Sequence, residues 1–266
     1  MSTTLDNLFL KVRSEKRAAL IAYIPAGFPS IQDCHRVIQA FIDGGVDAIE
    51  IGFPYSDPVM DGPTIQEAAV IALNNGTTAE DVLSALEVAV RGGVPSVVMT
   101  YWNPIEKYGV KRFAEAIATR GGSGVIHPDI TIEESAEWLS ATVETGISPI
   151  YVVALSTSDQ RLANVTEKCG GFVYAASIMG VTGARASIST GAKDLVERIR
   201  KTSNLPVAVG LGVSTRDQAR EVASYADGVI VGSAFVKAIL EARDIEEGLT
   251  KVTDLARELS LGVRGQ

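Results

Sequence analysis

"IEIGFPYSDPVMDGPTIQEA", residues 49–68, runs from the end of an apolar strand, through a loop carrying three prolines, into the start of a helix. Pro54, Pro58 and Pro63 restrict the loop, and Pro63 falls near the first helical position, where proline is favoured. Working outward, the same strand–loop–helix unit recurs. Apolar, β-branched runs at 19–25, 47–52, 95–101, 123–128, 148–154, 171–177, 206–211 and 227–232 predict eight strands. Helical patterns fall between them, at 31–43, 63–75, 78–92, 110–119, 132–145, 158–168, 191–202 and 214–223. The strands are apolar almost throughout, as in a parallel sheet covered on both faces.

Eight strands alternating with helices predict a (β/α)8 TIM barrel, α/β in class and a single domain over residues 1–266. A doubly wound open sheet is the runner-up. The first strand is followed by no GxGxxG, and no Pro/Ser/Gly-rich linker divides the chain. Leu5, Leu8, Phe9 and Val12 recur at helical spacing and predict an N-terminal amphipathic helix packed on the domain. The helix at 78–92 and a C-terminal pair after 234 are further additions to the pattern.

A net charge of −8 disfavours nucleic-acid partners, whose phosphates need Lys and Arg. Nothing approaches the ~20 apolar residues of a membrane span. The N-terminus is interrupted by charges and does not read as a signal peptide. Two cysteines, Cys34 and Cys169, in different predicted helices, read as structural thiols of a reducing, cytoplasmic compartment.

In such barrels the active site lies at the C-terminal strand ends and the loops that follow. Glu50 falls near the end of strand two among apolar neighbours, where desolvation raises a carboxyl's pKa and suits it to proton transfer. A structural ion pair is the alternative. Asp61 lies in the stiffened loop, with a turn or capping role as its alternative; Asp57 reads as turn chemistry or a surface contact. Glycine-rich segments follow strands six ("GVTGAR", 180–185), seven ("VGLGVS", 209–214) and eight ("VGSAFV", 231–236). The loops after strands seven and eight form the common phosphate site of these barrels, with backbone N–H groups and a helix N-terminus facing the anion. Gly212, Gly232 and Ser233 are the candidates, with Gly183 from loop six. That loop, "SIMGVTGARASISTGAKD" (177–194), is long enough to act as a lid. His35 and His127 show no metal-ligand spacing, so no metal is expected; His127 ends strand four, where a substrate or partner contact is open. The residues alone therefore describe a barrel that binds a small phosphate ester and moves protons with carboxylates.

"EIGFPYSDPVMDGPTIQEA" resembles the signature of the tryptophan synthase α subunit family. The likeness spans nearly the whole chain, through "YIPAGFPS", "MTYWNP", "GVTGAR", "GLGVS" and "GSAFV". The resemblance implies retro-aldol cleavage of indole-3-glycerol phosphate to indole and glyceraldehyde 3-phosphate, with no cofactor on this chain. Glu50 would then be the principal acid/base and Asp61 would face the indole N–H. Tyr174 would position Glu50 or line the pocket, and Tyr23 and Tyr101 would line the indole end. Thr182 would meet Asp61 when loop six closes, and Gly183, Gly212, Gly232 and Ser233 would cradle the phosphate. It also implies a pyridoxal-phosphate-bearing β subunit as partner in an α2β2 complex, approached by Pro54, Asp57 and Asp129.

Overall fold

A computed structural model describes residues 4–176, 185–210 and 212–266. Eight parallel strands close into a barrel in chain order: β1 (Ala19–Pro25), β2 (Ala48–Gly52), β3 (Ser96–Met99), β4 (Gly124–His127), β5 (Ser148–Ala154), β6 (Val173–Ala176), β7 (Val207–Gly210) and β8 (Gly228–Val231). The seam is β1 on β8, with Ile21 opposite Ile230. The TIM barrel read from the alternation is the observed fold.

Around it run α2 (Ile31–Asp43), α3 (Pro63–Asn74), α4 (Ala79–Arg91), α5 (Trp102–Tyr108), α6 (Val110–Thr119), α7 (Ala136–Thr145), α8 (Asp159–Lys168), α9 (Arg185–Arg200), α10 (Arg216–Ala223), α11 (Ser233–Leu240) and α12 (Ile245–Val263), after an N-terminal α1 (Thr4–Ser14). Ser30, Thr215 and Asp244 cap α2, α10 and α12 by accepting backbone N–H bonds, which satisfies donors the first helical turn leaves unpaired.

Two apolar cores follow from strand alternation. Outward residues such as Ile49, Ile51, Val125 and Val153 pack beneath the helices. Inward residues such as Ile21, Ala48, Ile126 and Phe172 fill the barrel's lower half. There α1 closes the bottom: Leu5, Leu8, Phe9 and Val12 join the interior cluster, and the Phe9 ring meets that of Phe172 at 5.7 Å. The predicted helical stripe is thus a barrel plug. The same end is clamped by Asp47, which accepts two bonds from the Arg17 guanidinium, at 2.8 and 2.9 Å, and one from the Leu20 N–H at 2.9 Å.

Three elements differ from the expectation. α5 was not foreseen: "WNPIEKY" is short and carries Pro104, but proline is tolerated in a first turn, and the helix is capped from afar by Asp129, which accepts the Trp102 N–H at 3.0 Å. α7 begins at Ala136, four residues later than the pattern, because Ser135 turns back on the Ile132 carbonyl. α9 begins at Arg185, inside the stretch read as a long loop. Gly191 and the surrounding serines and threonines lower that segment's helical propensity, yet a Cβ at Gly191 would lie 3.0 Å from Leu155 Cδ1, so the glycine serves a close approach.

Candidate active site

Alternation along β2 sends Glu50 and Gly52 into the barrel, since Ile49 and Ile51 pack outward. Glu50 is 1% exposed. Burial first, and the charge of Asp61 second, push its carboxyl up to about 8. Among the described residues its Oε2 has no hydrogen-bond partner. A buried carboxyl with an unpartnered oxygen opening on a cavity is suited to giving and taking a proton.

Asp61 hangs over the same cavity from the β2–α3 loop. Burial pushes it up to about 6, opposed by a bond from the Tyr101 hydroxyl. That hydroxyl accepts the Met60 N–H at 2.9 Å and donates to Asp61 Oδ2 at 3.3 Å. The Tyr101 ring stacks on Tyr55 with centroids 5.1 Å apart, and Tyr55 in turn accepts a bond from Asn103 Nδ2 at 3.1 Å. Tyr101 therefore holds Asp61 and its loop, and it is not among the described residues that line the cavity.

Tyr23 and Tyr174 do line the cavity. Each leans over a glycine of the neighbouring strand. A Cβ at Gly52 would lie 2.3 Å from the Tyr23 hydroxyl, and one at Gly210 would lie 2.6 Å from the Tyr174 hydroxyl. No side chain larger than hydrogen fits at either position without moving a ring. Burial raises both phenols well above their ordinary range. After burial, Tyr23 feels Asp61 before Glu50, and Tyr174 feels Glu50 before Asp61. Gly52 and Gly210 were missed in the sequence, as were Met99, Val152 and Ile230 of the cavity floor. Inward parity counted from Glu50 was the signal that could have found them.

The cavity holds about 440 Å³. Gly212, Gly232 and Ser233 are among the residues that line it. Gly212 has φ +68, a left-handed turn that glycine enters freely, and Gly232 immediately precedes α11, whose first N–H groups are free of helical partners. Among the described residues that line the cavity none is Lys, Arg or His. An anion bound there would rest on backbone N–H groups, the Ser233 hydroxyl and a helix N-terminus. Thr182 and Gly183 lie outside the described residues.

The residues assigned to a partner face separate. Asp57 and Asp129 are exposed, Asp57 beside Val59, which is 81% exposed, whereas Pro54 is buried. Asp129 also has a local task as the cap of α5. His127 points away from the cavity, outward between strands and helices, with its ring against Trp138 at 4.7 Å and Trp102 at 6.1 Å. Burial lowers its pKa to about 3, so it is a neutral packing residue and not a substrate contact. The two thiols are pushed up to about 11 (Cys34) and about 12 (Cys169) by burial and are inert. Cys169 follows α8 as its C-terminal cap rather than lying within it. Among the described residues no group of three or more His, Cys, Asp or Glu could hold a metal.

A family model described as tryptophan synthase alpha chain matches residues 9–264. The chain is 51% identical over 265 residues to the tryptophan synthase alpha chain of Thermobifida fusca, covering 98% of each. It is 52% identical over 262 residues to that of Streptomyces avermitilis, covering 98% of this chain and 95% of the relative. Among solved structures, a chain of Mycobacterium tuberculosis tryptophan synthase superposes with a TM-score of 0.92 at 45% identity, covering 99% of both. Tryptophan synthase subunit alpha of Legionella pneumophila superposes with a TM-score of 0.90 at 28% identity, again over 99% of both.

Proposed function

This chain belongs to the tryptophan synthase alpha chain family, and on that premise we propose that Glu50 and Asp61 divide the proton transfers of its reaction. The reaction is that of a carbon–carbon lyase in tryptophan biosynthesis: indole-3-glycerol phosphate is cleaved to indole and glyceraldehyde 3-phosphate. The observation that carries the division is the pair itself. Two carboxyl groups share one cavity, with proton affinities set apart at about 8 and about 6. Near neutrality Glu50 keeps its proton and Asp61 is charged.

Glu50 gives its proton to indole C3. The ring nitrogen takes up positive charge, which the Asp61 carboxylate stabilises at the N–H. Glu50, now ionised, removes the proton of the hydroxyl on the carbon attached to the ring. The O–H electrons become the aldehyde C=O, the carbon–carbon bond breaks, and its electrons return to the ring and restore the neutral nitrogen. The proton lost by Glu50 has come back, so acid and base are one residue. This step calls on no cofactor in this chain. Tyr174 positions Glu50 or lines the pocket, Tyr23 lines the indole end, Gly183, Gly212, Gly232 and Ser233 take the phosphate, and Thr182 meets Asp61 when loop six closes. Tyr101 keeps Asp61 in place.

The family's name implies a β-subunit partner. We place that partner, carrying pyridoxal phosphate in an α2β2 complex, on the face that bears Asp57 and Asp129, with buried Pro54 stiffening the loop from beneath. Residues 1–266 act as one domain in the cytoplasm; no described helix is long and apolar enough to cross a membrane. The test is indole release from indole-3-glycerol phosphate. Glu50→Gln removes it while substrate binding persists, and added β subunit accelerates the unsubstituted chain. Retained turnover in Glu50→Gln would overturn the assignment.

A further inference from the structure

The loop that carries Asp61 is gripped at two points by one short segment of chain. At one, the Tyr101 hydroxyl accepts the Met60 N–H at 2.9 Å and donates to Asp61 Oδ2 at 3.3 Å. At the other, Asn103 Nδ2 donates to the Tyr55 hydroxyl at 3.1 Å. A ring stack joins the two points: half-buried Tyr55 lies against buried Tyr101, with centroids 5.1 Å apart and planes 30° from parallel. Tyr101 and Asn103 flank the first residue of α5, Trp102, whose N–H is capped by Asp129. The Met60 N–H can only donate, so the Tyr101 oxygen serves it as acceptor and keeps its single proton for Asp61. At 3.3 Å that second bond is longer than the ~2.8 Å usual between oxygens, so a small swing of the ring makes or loses it. The stack against Tyr55 limits the swing, and the bond from Asn103 keeps the Tyr55 ring from turning away.

We propose that Tyr55, anchored by Asn103, is a positioning residue for Asp61: its ring fixes the Tyr101 ring at the angle from which the Tyr101 hydroxyl reaches the carboxylate. The inference rests on the division of roles between Glu50 and Asp61 given above and extends it. Gln66 of α3 donates to the Asp61 carbonyl at 2.8 Å, so the backbone of that residue has its own tie. What Tyr55 adds is the aim of the side chain. A carboxylate that meets charge developing on the ring nitrogen works best when it is in place beforehand, with nothing left to reorganise during the reaction. The titratable groups around Asp61 are Glu50 from β2, Tyr23 from β1, Tyr174 from β6 and Tyr101 ahead of α5, and Tyr101 is the one that bonds its carboxyl.

The test is the acidic limb of the kcat/KM profile for indole release, measured on the full chain alone and again with saturating β subunit. Tyr55→Leu removes the ring. It should lower kcat about three- to tenfold with KM within about twofold, and move the limb up by about half a unit, because the ionised carboxylate loses much of its donor. Tyr55→Phe and Asn103→Ala cut one bond from its two ends and keep the stacked ring. Each should move the limb the same way by less, and the pair carries the test if Tyr55→Leu fails to fold. In a Tyr101→Phe background, where the hydroxyl is already gone, Tyr55→Leu should move the limb no further. A further shift there shows that Tyr55 does not act through Tyr101 and overturns the proposal. An unmoved limb in Tyr55→Leu overturns it too, whatever happens to kcat. So does a limb displaced only with β subunit present, which assigns Tyr55 to docking. Asp61→Asn separates the two levels. If it abolishes the acidic limb while Tyr55→Leu leaves that limb in place, only the role of Tyr55 falls. If the limb survives Asp61→Asn, the role of Asp61 falls and that of Tyr55 with it.

Discussion

The charge on Asp61 raises the proton affinity of Glu50 across their shared cavity. Each carboxyl is raised by burial, but unequally, to about 8 and about 6. One proton is therefore shared by two groups over a neutral window, and the group that holds it is Glu50.

The pH dependence of kcat/KM should be bell-shaped. It rises near pH 6 as Asp61 ionises and falls near pH 8 as Glu50 loses its proton, since this ratio reports the free enzyme's ionisations. A substrate phosphate also ionises near pH 6, at about 6 for a phosphomonoester. Asp61→Asn tells the two apart: it should remove the enzyme's acidic limb and also draw the alkaline limb downward, because Glu50 no longer faces a negative charge. A stationary alkaline limb would contradict the coupling.

Glu50→Gln should be a stabilising substitution at alkaline pH. The folded-state pKa lies above the unfolded one, so the folded chain holds its proton more tightly. The resulting stability is complete below about pH 4.5 and is lost as pH rises through about 8. Gln cannot ionise and escapes that loss. Thermal midpoints of the two proteins should coincide near pH 5 and diverge in favour of the variant by pH 9. Activity should drop at least about a hundredfold, the lower range for losing a general acid. Equal midpoints at pH 9 would mean Glu50 is ionised at little cost.

Ser233→Ala should raise KM about three- to tenfold and leave kcat nearly unchanged. Ser233 opens α11 at the end of the cavity where a phosphate would rest, and with no basic side chain among the described lining residues its hydroxyl is one of few donors. Inorganic phosphate should also become a weaker competitive inhibitor. A fall in kcat with unchanged KM would place Ser233 nearer the chemistry than the cradle.

Phe9→Ala should destabilise the fold by about 3–5 kcal/mol, the usual cost of emptying a buried phenylalanine site. Phe9 is buried in the barrel's lower core against Phe172. The cavity lies at the other end, so turnover per folded molecule should be retained below the melting transition. Urea unfolding and indole release on the same preparation would decide. A proportional loss of both at 25 °C would show that the plug reaches the catalytic end.

Much of this molecule is legible in its primary structure. The strand–helix alternation was enough for the barrel, because strands buried on both faces read as unbroken apolar runs and each is followed by a helical period. A carboxylate inside such a run, as at Glu50, stands out, and so do glycines after the last strands. Covalent spacing also placed the prolines beside Asp61.

Tertiary structure decided what faces what. When both faces of a strand are apolar, nothing in the pattern says which residues point inward, and one step of phase moves a side chain from cavity to helix interface. That is why His127 turned out to pack against Trp138 outside the barrel, and why Gly52 and Gly210 went unnoticed as seats for Tyr23 and Tyr174. Partners distant in sequence decided the rest. Asp129 caps α5 from 27 residues away, and Tyr101 reaches Asp61 across 40. Such contacts exist only once the barrel has closed, since the loops that carry them meet solely at its rim.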